Sequence, residues 1–400
     1  MRLGTANAFD RTLLNITNRQ ASLAELQEKL SAGKKVLRAS DDPTGAAQSE
    51  RAQTRITRVE IEQRALSLQK NSMSLAESTL GDAQSLMQQI RQLVVQAGDA
   101  TLTPADRRSL AQEMRSLRDQ LFTYANKQDS NGVPLFGGLA SANAPFVDLT
   151  TGVVFNGIPG QKSGGPVNIP SAMDGQAVFM NVPSGNGVFN MALGATNAGQ
   201  LWTDPGRVLT PGLLTGDNYS VTFNVDSTVT PPVTTYDVVN TTTATPVLTA
   251  QPYVDGQDIT FDGLSFVARG VPADGDTLAI TPSTRTDIFA VVDAAIAAVD
   301  GQPNGHVFTQ NNSLSLSQLD SAMDRIQSAR GTAGELLKRA DIIDSNQEDK
   351  TIQLEADRSR AEDMDMVKGI SQFETQQLGY NAALQTYAQI QRLSLFNYIS

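Results

Sequence analysis

Along this chain the spacing of apolar residues changes twice. Up to about residue 140 it is helical. Val59, Leu66, Met73, Leu80, Met87 and Val94 stand seven residues apart, and Ala76, Ala83, Ile90 and Ala97 follow three positions later. A seam sustained over that many heptads predicts one long helix in a bundle or coiled coil. Leu110, Met114, Leu117, Leu121 and Tyr124 form the stripe of a further helix. Its start is legible in "TPADRR": Thr103 is placed to cap, Pro104 suits the first helical position, and Asp106 can close a capping box. Leu319, Met323, Ile326, Ala333, Leu337 and Ala340 resume the helical spacing in the last third. The two ends carry their own stripes. Phe9, Leu13, Ile16, Leu23 and Leu30 lie at one, and Ile370, Phe373, Tyr380, Leu384, Tyr387, Leu393 and Phe396 at the other.

Between 141 and 285 the period shortens to two. "QDITFDGLSFVARGVPADGDTLAIT" alternates about Ile259, Phe261, Phe266, Leu278 and Ile280, with Asp262-Gly263 as a tight hairpin turn and "GVPADGD" as a longer connection. "NYSVTFNVDST" and "GQAVFMNVPSG" read as further strands, and "TTTATPVLTA" as an edge strand or a loop. Composition changes at the same borders. Glu is absent from 141–285, 13 of the 17 prolines lie there, and before Arg285 its basic residues are Lys162, Arg207 and Arg269. The expected fold class is therefore α+β, with long helical arms built from both termini around an inserted antiparallel β domain.

Each terminal stripe belongs to a single amphipathic helix whose obvious intrachain partner is the other end. Two helices cover little apolar surface, so this pair should be marginal in a monomer and firmer in an assembly.

Charge and chemistry narrow the class further. The net charge of −11 argues against a nucleic-acid coat, which needs clustered Lys and Arg. With no cysteine, disulfides, iron–sulfur clusters and thiolate sites are excluded. The lone His306, in "GQPNGHVF", reads as a surface-loop residue. No apolar run is long enough to span a bilayer, and the N-terminus lacks the apolar core of a cleavable secretory signal. Phosphate-loop, nucleophile-elbow and zinc-helix patterns are missing. Asp255, Asp258, Asp262, Asp274 and Asp276 do not fit a calcium loop and read as turn chemistry. No catalytic residue, cofactor site or metal site is expected, and the chain is not read as an enzyme.

"SAGKKVLRASDDPTGAA" carries a glycine, basic residues and paired aspartates. Leu30 ends the first stripe, and Gly33 supplies a left-handed stop. Lys34, Lys35 and Arg38 follow where the helix's carbonyl end favours positive charge. Ser40 or Asp41 would cap the next helix, with Asp42 or Pro43 at its first position. The stretch reads as a linker between two helices.

That linker resembles the one shared by the flagellin superfamily. "QDSNGVPLFGG" is similar to the family's passage from its third helix into an outer domain. "FDGLSFVARGVPADGDTLAITPSTRTDIFAVV" and "AEDMDMVKGISQFETQQLGYNAALQTYAQIQRLSLFNYIS" resemble segments of its hook-associated members. The resemblance covers both arms and fades over the Pro- and Thr-rich middle. It implies a structural protein of the bacterial flagellum, in a junction layer between hook and filament. The implied domains are 1–40 with 366–400 (inner, ordered on assembly), 41–140 with 286–365 (long-helix bundle) and 141–285 (outer, β-rich). Assembly would run through the terminal stripes, and Gly33, Asp41, Asp42 and Pro43 would form the interdomain linker. The implied partners are copies of the chain itself, the hook-side junction protein, flagellin, an export chaperone and the export apparatus. Neither nucleic acid nor membrane insertion is implied. The implied location is the extracellular flagellum, reached by type III export without a cleaved signal. Filament flagellin itself, or a secreted adhesin or glycan-binding protein, stays open as an alternative.

Overall fold

A computed structural model describes residues 5–161, 169–301 and 305–399, with the side chains of 5–9, 141–143, 301 and 390–399 outside that description. Helices α1 (Thr5–Ala32), α2 (Pro43–Ala97) and α3 (Pro104–Ala125) come first, and the short α4 (Gly175–Phe179) lies among the strands. Helices α5 (Ile288–Gly301), α6 (His306–Glu362) and α7 (Met366–Ile399) close the chain. By their contacts the residues divide into two compact units, Met1–Ala65 with Ile342–Ser400, and Leu66–Asp341.

In the larger unit the seam of α2 is core. Leu66, Met73, Leu80, Met87, Ile90 and Val94 are all buried. The start of α3 is the capping box that its sequence announces. Thr103 Oγ1 accepts from the Asp106 amide at 3.3 Å, and Asp106 Oδ2 accepts from the Thr103 amide at 3.0 Å. Helix α3 packs on α5. Phe146, Phe179 and Phe289 form one aromatic cluster, which Phe136 joins through Phe179 and Phe122 through Phe289. Arg118 bridges Asp148 and Asp293 beside it, and these carboxylates raise its pKa further above the usual guanidinium value.

The named strands are antiparallel. Strands β1 (Ala140–Leu149) and β2 (Gly152–Ile158) form a hairpin. Next come β3 (Val182–Pro183), β4 (Phe189–Leu193), β5 (Trp202–Thr203) and β6 (Arg207–Val208). Strands β7 (Tyr219–Asp226), β8 (Val233–Asn240), β9 (Thr245–Pro252), β10 (Asp258–Phe261), β11 (Leu264–Arg269), β12 (Thr277–Pro282) and β13 (Arg285–Thr286) complete the set. The main sheet runs β4-β12-β7-β8-β9, and a smaller one is built on β10, β11, β5 and β6. Their inner faces share one core, including Phe189, Met191, Val221, Phe223, Phe266 and Ile280. Asp262 (φ 43°) and Gly263 (φ 79°) turn β10 into β11, with Phe261 opposite Leu264. Positive φ at both central residues is what the tight hairpin turn requires.

Three local expectations need correction or resolution. "GQAVF" is the helix α4 and not a strand. Asp174 caps it by accepting from the Gln176 and Ala177 amides, and the consecutive Val178 and Phe179 are both buried, which strict alternation cannot achieve. His306 is not in a loop: it opens α6 and is half-buried. The open choice for "TTTATPVLTA" resolves to the edge strand β9.

Candidate functional site

The smaller unit holds the joint between the long helices and the two terminal ones. Helix α1 ends in a complete Schellman motif. The Gly33 amide donates to the Leu30 carbonyl at 3.2 Å and the Lys34 amide to the Lys29 carbonyl at 3.1 Å. Gly33 has φ 68°, the left-handed conformation this motif demands. The chain then lies against the end of α6. The Lys35 amide donates to the Glu362 carbonyl at 2.8 Å, Lys35 Nζ to the Arg360 carbonyl at 2.5 Å, and the Met364 amide to the Gly33 carbonyl at 3.0 Å. One linker thus satisfies carbonyls that the last turn of α6 leaves without intrahelical partners.

Charge reinforces this crossing. Lys34 pairs with Glu362, whose other oxygen accepts from the Ser49 hydroxyl at 2.7 Å. Lys34 first, then Ser49, hold the Glu362 carboxyl below its usual range. Both lysines of the linker are thus tied to the last turn of α6.

The aspartates divide the work in a way the sequence reading did not assign. Asp42, not Ser40 or Asp41, caps α2. Its Oδ1 accepts from the Thr44 amide at 3.0 Å and hydroxyl at 2.7 Å, its carbonyl takes the first helical bond from Ala46, and Pro43 holds the first helical position. Asp41 Oδ2 accepts from the amides of Leu37 and Arg38 at 3.1 and 3.2 Å, closing the turn before the cap. Both carboxyls are held below their usual range, Asp42 chiefly by the Thr44 hydroxyl and Asp41 chiefly by the Leu37 amide. Across the joint Asp365 repeats the pattern for α7, accepting from the Val367 and Lys368 amides. Sequence reasoning missed Asp365 and Glu362. The cap rule applied to "SDDP" was available for "DMDM" as well, whereas nothing local pairs Glu362 with a lysine over three hundred residues away.

Beyond the joint α1 and α7 pack along each other. Two glycines of α7 lie close to α1: a Cβ at Gly369 would come within 2.9 Å of Leu30 Cδ2, and one at Gly379 within 2.5 Å of an Arg19 guanidinium nitrogen. The predicted stripes are only partly covered. Ile16 is buried; Leu23, Leu30, Phe373, Tyr380 and Tyr387 are half-buried; Leu13 and Ile370 are each 48% exposed and Leu384 39%. The side chains of Phe9, Leu393 and Phe396 lie outside the described residues. A groove of about 510 Å³ runs between the two helices, lined by polar residues such as Asn15, Arg19 and Gln376.

Elsewhere the tempting aspartates are engaged separately. Asp276 accepts from the Ala198, Gly199 and Ala273 amides, Asp255 from Gly270, and Asp274 from Val225, while Asp262 receives the Tyr219 hydroxyl and Asp258 pairs with Arg207. Among the described residues no group of three or more His, Asp or Glu side chains is disposed around a metal position. No described helix is long and apolar enough to cross a membrane.

Long helices from both termini, joined side by side and flanking an antiparallel β insertion, define a class of proteins with helical terminal regions. The bacterial flagellin N-terminal helical region matches residues 5–141, and the bacterial flagellin C-terminal helical region matches residues 316–399. The chain belongs to the flagellin family. Within it, the chain is homologous to flagellar hook-associated protein 3. It is 24% identical to that protein of Salmonella typhimurium over 99% of both chains. The flagellar junction protein FlgL of Legionella pneumophila superposes with a TM-score of 0.68 at 30% identity, covering 73% of this chain and 99% of the other. FlgL of Xanthomonas campestris gives 0.64 at 28% identity, covering 72% of this chain and 93% of the other. These relatives are structural flagellar proteins.

Proposed function

We propose that this chain is a structural subunit of the junction between hook and filament, laid down between the hook-side junction protein and flagellin. The carrying observation is the pair α1 and α7, whose apolar stripes are left half open, in a chain whose relatives are named for the flagellar junction. An open stripe on a marginal helix pair is stabilised when neighbouring copies cover it. Phe9, Leu13, Ile16, Leu23 and Leu30 form the assembly surface together with Ile370, Phe373, Tyr380, Leu384, Tyr387, Leu393 and Phe396. In this reading residues 1–40 with 366–400 form the inner domain, 41–140 with 286–365 the wall, and 141–285 the outward domain. Gly33, Asp41, Asp42 and Pro43 form the hinge between the first two. The chain acts by assembly and not by catalysis, and reaches the cell exterior through the flagellar export apparatus, escorted by an export chaperone.

The test replaces exposed stripe residues rather than deleting the helix. Ile370→Asp combined with Leu384→Asp should give a folded chain that reaches the medium, while electron microscopy shows hooks without filaments. Filaments of normal number and length on the double variant would overturn the reading.

A further inference from the structure

Among the described residues the main sheet has two free edges, and they are built differently. Strand β9 carries Pro246 and Pro252, a left-handed Ala250 and irregular register against β8. Prolines and bulges of this kind blunt an edge against further pairing. Strand β4, "FNMAL", has neither proline nor charge nor irregular register, and among the described residues its ladder partner is β12 alone.

The pairing fixes which of its backbone groups point outward. The Gly194 amide donates to the Thr277 carbonyl at 2.9 Å, and the Ser283 amide to the Val188 carbonyl at 2.9 Å. With Asn190 opposite Thr281 and Ala192 opposite Ala279, the even-numbered residues bond to β12. The odd-numbered ones therefore face away. Phe189 is satisfied locally, its amide by Asn186 Oδ1 and its carbonyl by the Asn186 amide. The outward amides and carbonyls of Met191 and Leu193 have no partner among the described residues.

Both residues line a cleft of about 640 Å³ between β4 and helices α5 and α6. Its far wall is low and neutral: Ala294, Ala297 and Ala298 leave room, and Gln310, Asn311 and Gln318 supply amides. Among the described residues no Asp, Glu, Lys or Arg lines it, and His306 is its one ionisable side chain. Gln310 is 2% exposed, with Oε1 accepting from the Thr203 amide at 2.6 Å and Nε2 left unpartnered. A buried amide such as Gln310 Nε2 is costly to leave unmatched, and the outward peptide groups of Met191 and Leu193 offer further bonds to an occupant.

We infer that β4 accepts an added strand, an extended uncharged segment of a partner polypeptide with small side chains, held by Met191 and Leu193 on one side and the amides of α6 on the other. Charge on the segment is disfavoured because nothing in the wall compensates it. Small side chains are favoured by the alanines facing β4. Backbone bonds give such strand addition its affinity, and the pockets give it selectivity.

The test uses the full chain and a blocked heptapeptide of alternating threonine, alanine and valine, with amide hydrogen exchange read residue by residue. At saturating peptide, exchange at Met191 and Leu193 should slow by about tenfold or more, while Ala192, already bonded to β12, stays unchanged. The same peptide N-methylated at alternate positions should lose the effect. Ala192→Lys, at an exposed position of the cleft, should abolish protection while leaving the melting temperature in place. Unaltered exchange at both residues would show that the cleft holds water only, and equal protection in Ala192→Lys would show that the peptide is not held in the cleft; either result would overturn the inference.

Discussion

At Glu362 one carboxylate ties together three segments: Lys34 after α1, Ser49 in α2, and the last turn of α6. Glu362, Asp41 and Asp42 all have carboxyls held below the ordinary range by partners present only in the fold. A carboxyl depressed in the folded state contributes stability above its unfolded pKa of about 4, and that contribution is lost as pH falls through the folded value. The joint should therefore loosen on acidification below the usual carboxylate range and be insensitive to pH near neutrality. Amide exchange at Lys35 and Met364 reports it. Glu362→Gln should speed exchange at both at neutral pH and flatten their acid dependence. An unchanged acid profile in the variant would assign the effect to other carboxylates. Of this site, Gly33 and Pro43 were legible as helix stop and helix start because those roles depend on local backbone conformation. The choice of Asp42 over Asp41 was not legible, since either carboxylate can cap and only the path of residues 37–41 decides between them.

At the scale of single elements, α2 shows how far periodicity carries. All six positions of its heptad series from Val59 to Val94 are buried. Leu80→Ala should cost roughly 2–5 kcal/mol, by lost transfer energy plus an unfilled cavity. Leu68, 58% exposed on the same helix, should cost under about 0.5 kcal/mol on the same change. Urea denaturation of the two variants checks the contrast, and equal midpoints would mean that the seam is not core. Alternation worked equally well for β10 to β12, whose inward residues meet a single core on one face. It failed at "GQAVF", where two neighbouring residues enter the core and an aspartate cap supplies the helix. The strand reading there rested on apolar content without a period, which short helices and strands share.

Across the whole molecule, burial is uneven. The described stripes of α1 and α7 are half open, whereas the heptads of α2 and the sheet core are closed. Local opening follows the number of apolar contacts that must be broken. In the isolated chain, amides of α1 and α7 should exchange fastest among the helices and gain protection on assembly, while those of α2 near Met73 to Met87 should exchange slowest. Uniform protection along α1 and α2 in the monomer would remove the physical basis for ordering on assembly.

By itself the sequence determined the α+β class, the long helices, the capped start of α3 and the tight hairpin at Asp262-Gly263, because each depends on period or on backbone conformation within a few residues. It also carried the family resemblance in its two arms. Only the tertiary structure decided that Lys34 and Lys35 serve the end of α6, that Asp365 mirrors Asp42, and that β4 faces a neutral cleft while β9 is blunted. Those facts join residues from opposite ends of the chain, or distinguish one sheet edge from another, and no local spacing encodes such neighbours.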